Sequence, residues 1–155
     1  MGATTKTSAG LVLYRLRAGQ LEFLLVHPGG PFWKNKDAGA WTIPKGELAG
    51  NEEPLAAAQR EFEEEIGLKP HGNFIPLTPV KQKSGKVICA WAIEGDCQTD
   101  QIRSNTFTLE WPPHSGKQQE FPEVDRAAFF TFDQAKEKIN PAQLPLLQET
   151  AKYLS

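Results

Sequence analysis

Two apolar segments near the start of the chain are separated by a short polar one. Residues 9–16 and 21–27 are rich in aliphatic, β-branched and aromatic side chains, and positions 17–20 between them are Arg, Ala, Gly and Gln. Because such runs favour extended backbone and the polar stretch favours a turn, this order predicts a β-hairpin. Three later segments of similar character predict further strands: residues 74–80, 87–93 and 127–132.

A helix with both ends marked is predicted for residues 51–66. Asn51 is a residue type that caps helix N-termini, and Gly67 favours the left-handed conformation that ends helices. Apolar residues recur at helical spacing and predict one buried stripe: Leu55, Ala58, Phe62 and Ile66.

Two more helices are predicted near the end of the chain. Asp133 is expected to cap a helix over residues 133–139, and residues 141–153 form the second. The second helix should bury one face: Leu144, Leu147, Ala151 and Leu154. Strands flanked by helices predict an α/β fold with a sheet between helical layers. The chain has 155 residues, and we expect one domain over residues 1–155.

Charge and composition narrow the range of partners. The net charge of -2 gives no general attraction to nucleic acid or anionic lipid, so a polyanion would need a local site. No leader pattern or membrane-spanning run is found, and the two cysteines form neither a CxxC pair nor a zinc ligand set. We therefore expect a cytoplasmic protein without a membrane partner, in which Cys89 and Cys97 are buried reduced thiols.

Three glutamates of the predicted first helix share one side. At about 100° per residue, Glu61, Glu64 and Glu65 fall within an arc of roughly 100° beside the apolar stripe. Like charges at these spacings repel one another, and Arg60 alone cannot neutralise three carboxylates. The cluster is either a solvated acidic face, which is common, or a binding site for a hard divalent cation.

A longer pattern around these glutamates favours the second interpretation. From Gly46 the chain continues with five residues, Glu52, seven residues, Arg60-Glu61-Phe62, one residue, Glu64-Glu65, one residue and Gly67-Leu68. Every specified position of the Nudix box is present, so the segment 46–68 resembles the Nudix hydrolase family. Chance agreement would be on the order of 10⁻⁸ per starting position.

The resemblance to the Nudix family implies a fold, a cofactor and roles for individual residues. The fold would be the family's α/β/α sandwich with a mixed sheet, and the cofactor would be Mg²⁺, with Mn²⁺ as a substitute. The implied metal ligands are three carboxylates and one backbone carbonyl: Glu61, Glu64, Glu65 and Gly46. Glu52 and Arg60 would hold the loop and the helix together.

The residue that takes a proton from the attacking water is left open. In this family the base lies sometimes on the helix and sometimes on a later loop. The later candidates are Glu120 and Glu123, in the polar segment 116–125, which we expect to be an exposed loop. Such glutamates are often plain surface charge. Both interpretations stay open, with Glu120 slightly preferred.

Phosphate contacts are expected from lysines outside the box. Lys45 belongs to the stretch 41–46, which resembles the diadenosine-polyphosphate hydrolase branch of the family, and its ammonium group suits a phosphate. Lys83 and Lys86 belong to a second basic cluster. That cluster would either receive a longer polyphosphate or keep a hairpin turn soluble.

Phe32 and Trp33 are the candidates for contact with a nucleobase. They follow a Gly-Gly-Pro turn and are flanked by lysines, a combination that suits a stacked base with phosphates nearby. Loop aromatics also pack onto their own domain without binding a ligand, and that alternative stays open.

The predicted function is metal-dependent hydrolysis of a diphosphate linkage in a small nucleotide substrate. The leading substrates are a dinucleoside polyphosphate and a nucleoside triphosphate. Alternatives are ADP-ribose or another nucleotide sugar, the 5′ end of RNA, and a non-catalytic sensor of the same fold that only binds a nucleotide. A stable nucleic-acid partner is not expected. The chain is expected to act as a monomer or a homodimer.

Overall fold

The fold is described by a computed structural model for residues 6–154, so residues 1–5 and 155 of the predicted domain lie outside the described part. The strands are β1 (Thr7–Arg17), β2 (Gln20–Pro28), β3 (Lys45–Glu47), β4 (Ile75–Pro76), β5 (Val80–Lys81), β6 (Val87–Glu94), β7 (Thr106–Glu110), β8 (Gln118–Pro122) and β9 (Val124–Thr131). The α-helices are α1 (Pro54–Ile66), α2 (Phe132–Lys138) and α3 (Leu144–Leu154).

The main sheet is mixed and is built around β1. The strand order is β4, β6, β1, β2, β9, with β3 paired to β1 and β5 paired to β6. β1 runs parallel to β6 and antiparallel to β2, so the predicted hairpin is confirmed. The loop between β2 and β3 contributes two isolated bridges, Val26 with Thr42 and Trp41 with Ile139.

Helices cover both faces of this sheet. Val12 and Tyr14 of β1 pack in a core with residues of α2 and α3, whereas Leu11 and Leu13 pack in a second core with Phe62 and other residues of α1. Because consecutive strand residues point to opposite faces, a central strand between two helical layers needs a continuous apolar run. The predicted α/β/α sandwich with a mixed sheet is confirmed.

The segment 74–80 was predicted as one strand and forms two short ones. β4 and β5 both pair with β6, and between them the Leu77 N–H donates to the Ala90 carbonyl of β6 at 3.0 Å, but residues 77–79 form no strand of their own. Pro76 and Pro79 lie in this segment, and proline has no N–H to give to a ladder of hydrogen bonds. The apolar pattern therefore predicted strand structure in this segment correctly and its continuity wrongly.

A separate two-stranded ribbon replaces the loop predicted for residues 116–125. β7 and β8 pair antiparallel from Thr106 opposite Pro122 to Glu110 opposite Gln118. In β7 the side chains alternate between polar and apolar, which is a strand signal. β8 is mostly polar because the ribbon stands outside the core, so polarity was misread as a loop.

The helix α1 begins later than predicted. Its N-cap is Glu53, which makes no side-chain capping bond, and the proposed cap Asn51 lies in the preceding loop. Glu52 also lies in this loop, where its carboxylate accepts the Ala49 N–H at 3.0 Å. The predicted end at Gly67 is confirmed, with φ of 86° and an N–H donated to a carbonyl of α1.

The two last helices differ from prediction at their starts. α2 is capped by Thr131 instead of Asp133: the Thr131 side chain accepts the Gln134 N–H, and Gln134 bonds back to the Thr131 backbone. A 3₁₀ turn, Pro141–Gln143, precedes α3. Leu147 of the predicted face is fully buried, whereas Leu154 is exposed, and Leu146 is buried instead.

Two remaining sequence expectations concern thiols and membranes. Cys89 and Cys97 are free, and both are partly exposed, so the prediction that they are fully buried is wrong. Burial raises the pKa of the Cys97 thiol, with a smaller contribution from the neighbouring Asp96. Within residues 6–154, no helix has the length and apolar content required to cross a bilayer.

Candidate active site

The three glutamates Glu61, Glu64 and Glu65, here called the acidic flank, lie on the side of α1 that faces β3. Glu65 is buried, the Glu61 side chain is 12% exposed, and the Glu64 side chain is 35% exposed. Glu63 points to solvent. The flank is therefore enclosed on the Glu61 and Glu65 side and open on the Glu64 side.

Arg60 ties the flank to the loop that precedes α1. Its Nε and Nη2 donate to the two carboxylate oxygens of Glu52 at 2.8 and 2.9 Å, and Nη2 also donates to the Glu47 carbonyl at 3.2 Å. Its Nη1 donates to Glu61 at 2.9 Å and to Glu64 at 3.1 Å. The guanidinium lowers the pKa of Glu52 to about 2, helped by the Ala49 N–H. Arg60 and Glu52 thus hold the loop against the helix.

Gly46 allows β3 to approach the acidic flank closely. A Cβ at this position would collide with the Glu61 carboxylate, so a larger residue would displace one of the two. β3 is held in place by β1, where Gly46 lies opposite Ala9. The need for glycine is therefore steric, and it brings a backbone segment next to a carboxylate.

Burial and crowding shift the proton affinity of the flank. Burial raises the pKa of Glu65 to about 8, with smaller raising effects of Glu61 and Glu123 against the lowering effect of Lys45. Burial also raises the pKa of Glu61, against the Arg60 hydrogen bond. Burial is thus the main reason why both carboxyl groups hold a proton more readily than a free glutamate does.

The lysines predicted to contact substrate are placed differently from one another. Lys45 is half-buried beside Glu65 and Glu61, and burial and then the nearby Lys86 lower its pKa. Lys86 pairs with Glu47 at 3.1 Å. Lys83 is exposed in the turn before β6, and no described contact joins it to the acidic flank.

A cavity of about 330 Å³, here called the central cavity, opens beside Glu65. Its lining combines charged, amide and aromatic side chains: Lys45, Glu65, Trp33, Gln82, Glu123 and Gln143. The volume is within the range of small-molecule sites. Two carboxylates, a lysine, an aromatic ring and several amides thus line one cavity.

Glu123 and Glu120 have different surroundings. Glu123 lines the central cavity, and its carbonyl accepts the Gly29 N–H at 2.9 Å while its own N–H donates to the Asn105 carbonyl at 2.8 Å. Glu120 lies within β8, is exposed and does not line this cavity. The geometry therefore favours Glu123 over the slightly preferred Glu120.

The two candidate aromatic residues, Phe32 and Trp33, have different surroundings. Trp33 lines the central cavity, is 38% exposed, and has the Lys36 ammonium 5.1 Å from its ring centroid. Phe32 packs edge-on against Trp111 next to the ribbon, with ring centroids 5.5 Å apart. The structure thus brings Trp33 to the cavity and turns Phe32 to the ribbon.

The loop that carries Trp33 is fixed by a buried histidine. His27 Nδ1 lies 2.8 Å from the Asp125 carboxylate, and its Nε2 donates to the Lys36 carbonyl at 2.6 Å. The Asp37 carboxylate of the same loop accepts hydrogen bonds from Trp41 and Lys138. Because both ring nitrogens of His27 contact protein groups, its role is structural.

Three polar residues of the cavity lining were not identified from the sequence. Gln82, Asn140 and Gln143 come from a turn and from the segment before α3. None belongs to a local motif, and their only common property is the cavity into which the fold gathers them. Sequence spacing carried no signal for them.

A divalent cation of the magnesium type needs oxygen ligands and an open approach. The acidic flank offers carboxylate oxygens, and Gly46 leaves the approach free of a side chain. Among the residues that the structure describes, no three His, Cys, Asp or Glu side chains already form a cage around one point. An open set of oxygens suits Mg²⁺, which retains several waters.

Two relatives match part of the chain in amino-acid sequence. The asymmetrical bis(5′-nucleosyl)-tetraphosphatase of Caenorhabditis elegans is 41% identical over 61 residues, 39% of this chain and 40% of that protein. The RNA pyrophosphohydrolase of Francisella philomiragia subsp. philomiragia is 41% identical over 56 residues, 36% of each chain. The matches therefore span less than half of either relative.

Solved structures match over nearly the whole fold. The C. elegans Ap4A hydrolase in a binary complex has a TM-score of 0.66 at 22% identity, covering 95% of this chain and 97% of that chain. The NUDIX domain of Shewanella oneidensis NrtR, complexed with ADP ribose, has a TM-score of 0.69 at 16% identity, covering 99% and 91%. At these identities the likeness concerns the fold alone.

The family model described as the NUDIX domain matches residues 4–150. This range includes the box at 46–68, the sheet and most of the helices around it. The chain therefore belongs to the Nudix family.

Proposed function

We propose that this protein is a Mg²⁺-dependent hydrolase that cleaves a diphosphate linkage in a small nucleotide substrate. The observation that carries the proposal is the position of Glu65, which is buried in the acidic flank and also lines the central cavity with Lys45 and Glu123. A substrate held there would have its phosphates beside carboxylates, a lysine and a candidate base.

The proposed metal ligands are Glu61, Glu64 and Glu65, with the carbonyl of Gly46. Bound Mg²⁺, or Mn²⁺ in its place, would offset phosphate charge and lower the pKa of a bound water. Arg60 and Glu52 would keep the flank in position through their paired hydrogen bonds. Lys45 would contact a phosphate, and Lys86 would extend this positive region.

Glu123 is the proposed general base. A water oxygen would attack one phosphorus, the bond from that phosphorus to the bridging oxygen would break, and the water proton would pass to the Glu123 carboxylate. The leaving phosphate would take the electron pair of the broken bond. The backbone bonds of Glu123 to Gly29 and Asn105 hold its Cα in place, so little reorganisation is needed.

We propose a dinucleoside polyphosphate or a nucleoside triphosphate as substrate. The C. elegans relative is named a bis(5′-nucleosyl)-tetraphosphatase. The stretch 41–46 of this chain, which contains Lys45, resembles the diadenosine-polyphosphate hydrolase branch of the family. RNA with a 5′ phosphate chain is a second candidate because the other relative is named an RNA pyrophosphohydrolase. ADP-ribose is a third, since a structural neighbour was solved with it. The cytoplasmic location, the single domain and the lack of a stable nucleic-acid partner stay predictions.

The test is a substrate panel with product analysis by chromatography. Diadenosine tetraphosphate, ATP, ADP-ribose and 5′-triphosphate RNA are each incubated with Mg²⁺, with Mn²⁺ and with EDTA. We expect cleavage of a nucleoside polyphosphate that EDTA abolishes and added Mg²⁺ restores. Tight nucleotide binding without cleavage of any compound would identify a sensor instead, and cleavage unaffected by EDTA would contradict the metal proposal.

A further inference from the structure

Residues 103–105, here called the connecting segment, precede β7 and are bonded to the C-terminal end of α1. The Arg103 N–H donates to the Ile66 carbonyl at 3.0 Å, and the Asn105 N–H donates to the Glu64 carbonyl at 3.0 Å. The last carbonyls of a helix have no partner within the helix, so these bonds supply one for two of them. The connecting segment is therefore tied to the turn of α1 that carries the acidic flank.

The connecting segment is also bonded to the backbone on both sides of the Glu123 Cα. The Asn105 carbonyl accepts the Glu123 N–H at 2.8 Å. The Ser104 Oγ accepts the next N–H, that of Val124, at 2.9 Å, and it donates its own proton to the Asn105 carbonyl at 2.7 Å. Two oxygen atoms that are joined by a hydrogen bond thus hold the two N–H groups that flank this Cα.

Glu64 and Glu123 are joined through a single residue by these bonds. Asn105 donates its N–H to the Glu64 carbonyl and accepts the Glu123 N–H with its own carbonyl. Glu64 is a proposed metal ligand, and Glu123 is the proposed general base. A general base must lie within hydrogen-bond reach of the water that attacks the phosphorus, so the reaction depends on the spacing between these two residues. The connecting segment helps to determine that spacing.

Ser104 supplies the side-chain part of this arrangement. The bonds of Arg103 and Asn105 are made by the backbone, whereas the bond to the Val124 N–H depends on the Ser104 hydroxyl. Val124 is 5% exposed, which leaves little room for water to replace this hydroxyl. A buried N–H group without an acceptor costs free energy, so the backbone would move to find another partner. That movement would displace the Glu123 carboxylate.

We propose that Ser104 is a positioning residue, which holds the Glu123 carboxylate at the distance from the acidic flank that proton transfer requires. This inference rests on the proposed function, in which Glu123 is the general base. Ser104 does not line the central cavity, so its removal should lower kcat and leave KM nearly unchanged. The effect should also require Glu123, because Ser104 acts through that residue.

The first experiment combines Ser104→Ala with Glu123→Gln in a double-mutant cycle. Turnover of diadenosine tetraphosphate and of ATP is measured with saturating Mg²⁺, and a thermal melt checks that each variant is folded. We expect Ser104→Ala to lower kcat about 10-fold in the unmodified protein, because a small displacement of a reacting group reduces the rate strongly. In Glu123→Gln the same substitution should cause almost no further loss. An equal loss in both backgrounds, or no loss in the unmodified protein, would overturn the proposal.

Ser115→Ala is the matched control for Ser104→Ala. The Ser115 Oγ also accepts a backbone N–H, that of Lys117 at 3.2 Å, but it lies in the turn of residues 112–117 and does not line the central cavity. Removal of this hydroxyl affects the turn alone, so kcat should equal that of the unmodified protein. A loss as large as that in Ser104→Ala would contradict the proposal, because the effect would then not depend on the connecting segment.

The second experiment needs no turnover and measures amide hydrogen exchange by NMR. We expect the N–H groups of Glu123 and Val124 to exchange about 10-fold faster in Ser104→Ala, as for loss of one hydrogen bond, and at an unchanged rate in Ser115→Ala. Unchanged exchange in Ser104→Ala would overturn the proposal. Faster exchange in a protein that hydrolyses none of the substrates would contradict only the proposed function, and hydrolysis that requires Glu123 but not Ser104 would contradict only this inference.

Discussion

The acidic flank and the lining of the central cavity outside it differ in how their residues are distributed along the chain. The flank lies within about one turn of α1, and its supports Gly46, Glu52 and Arg60 are close to it in sequence. The lining outside the flank, here called the far wall, takes Trp33, Gln82, Glu123 and Gln143 from four distant segments. Helical spacing alone determines the first arrangement, whereas the second exists only when the sheet and the ribbon are assembled.

The largest effect should come from the flank itself. Glu65→Gln removes a proposed metal ligand with almost no change in volume, and turnover should fall by orders of magnitude. Glu63→Gln, on the exposed side of the same helix, is the matched control and should leave turnover nearly unchanged. Steady-state kinetics with saturating Mg²⁺ gives both values. Similar turnover in the two variants would contradict the proposal that Glu65 binds the metal.

The next effect should come from the far wall. Glu123→Gln should lower kcat by about 10²-fold, near the lower limit for loss of a general base. Glu120→Gln, on the exposed ribbon, should have kcat close to that of the unmodified protein. The pH profile of kcat should also change in Glu123→Gln, because this variant has no carboxylate at position 123 to accept the water proton. A larger loss in Glu120→Gln would assign the base to the ribbon instead.

A smaller effect is expected for the aromatic part of the far wall. Trp33→Ala should raise KM for a nucleotide substrate by about 10-fold, as expected from loss of one stacking contact. Phe32→Leu should change KM little, because the Phe32 ring packs against Trp111. KM from initial rates is the measurement. Comparable KM values in both variants would show that the cavity position of Trp33 has no functional consequence.

The smallest effect concerns acid stability of the loop that carries Trp33. The Lys138 ammonium, and then the Trp41 indole N–H, hold the pKa of Asp37 below its usual value. This stabilisation is present above the ordinary aspartate pKa of about 4 and is lost as pH falls through the lower folded value. Between pH 7 and 3 the melting temperature should therefore fall slightly more for the unmodified protein than for Asp37→Asn. Parallel melting curves would exclude this contribution.

The accuracy of the sequence predictions follows the same division. Gly67 ended α1 as predicted because a left-handed helix end is a local property, whereas Asn51 failed as the cap because the Glu52 to Arg60 bonds determine the course of the preceding loop. The sequence could not separate Glu120 from Glu123, because the ribbon that places Glu120 away from the central cavity was taken for a loop. Gln143 could not be found, since its partner Ile43 is 100 residues away in sequence.

The way in which the ribbon is attached has a consequence for how new variants of this protein could be made. Backbone bonds of Asn105 and Glu123 anchor its base, and the Phe107 and Trp111 rings lie against Gly30 and Phe32, whereas the turn of residues 112–117 belongs to neither strand. Residues inserted in this turn would therefore lengthen the ribbon beyond these contacts without displacing Glu123. Such an insertion would add a surface for recognition and leave the lining of the central cavity as it is.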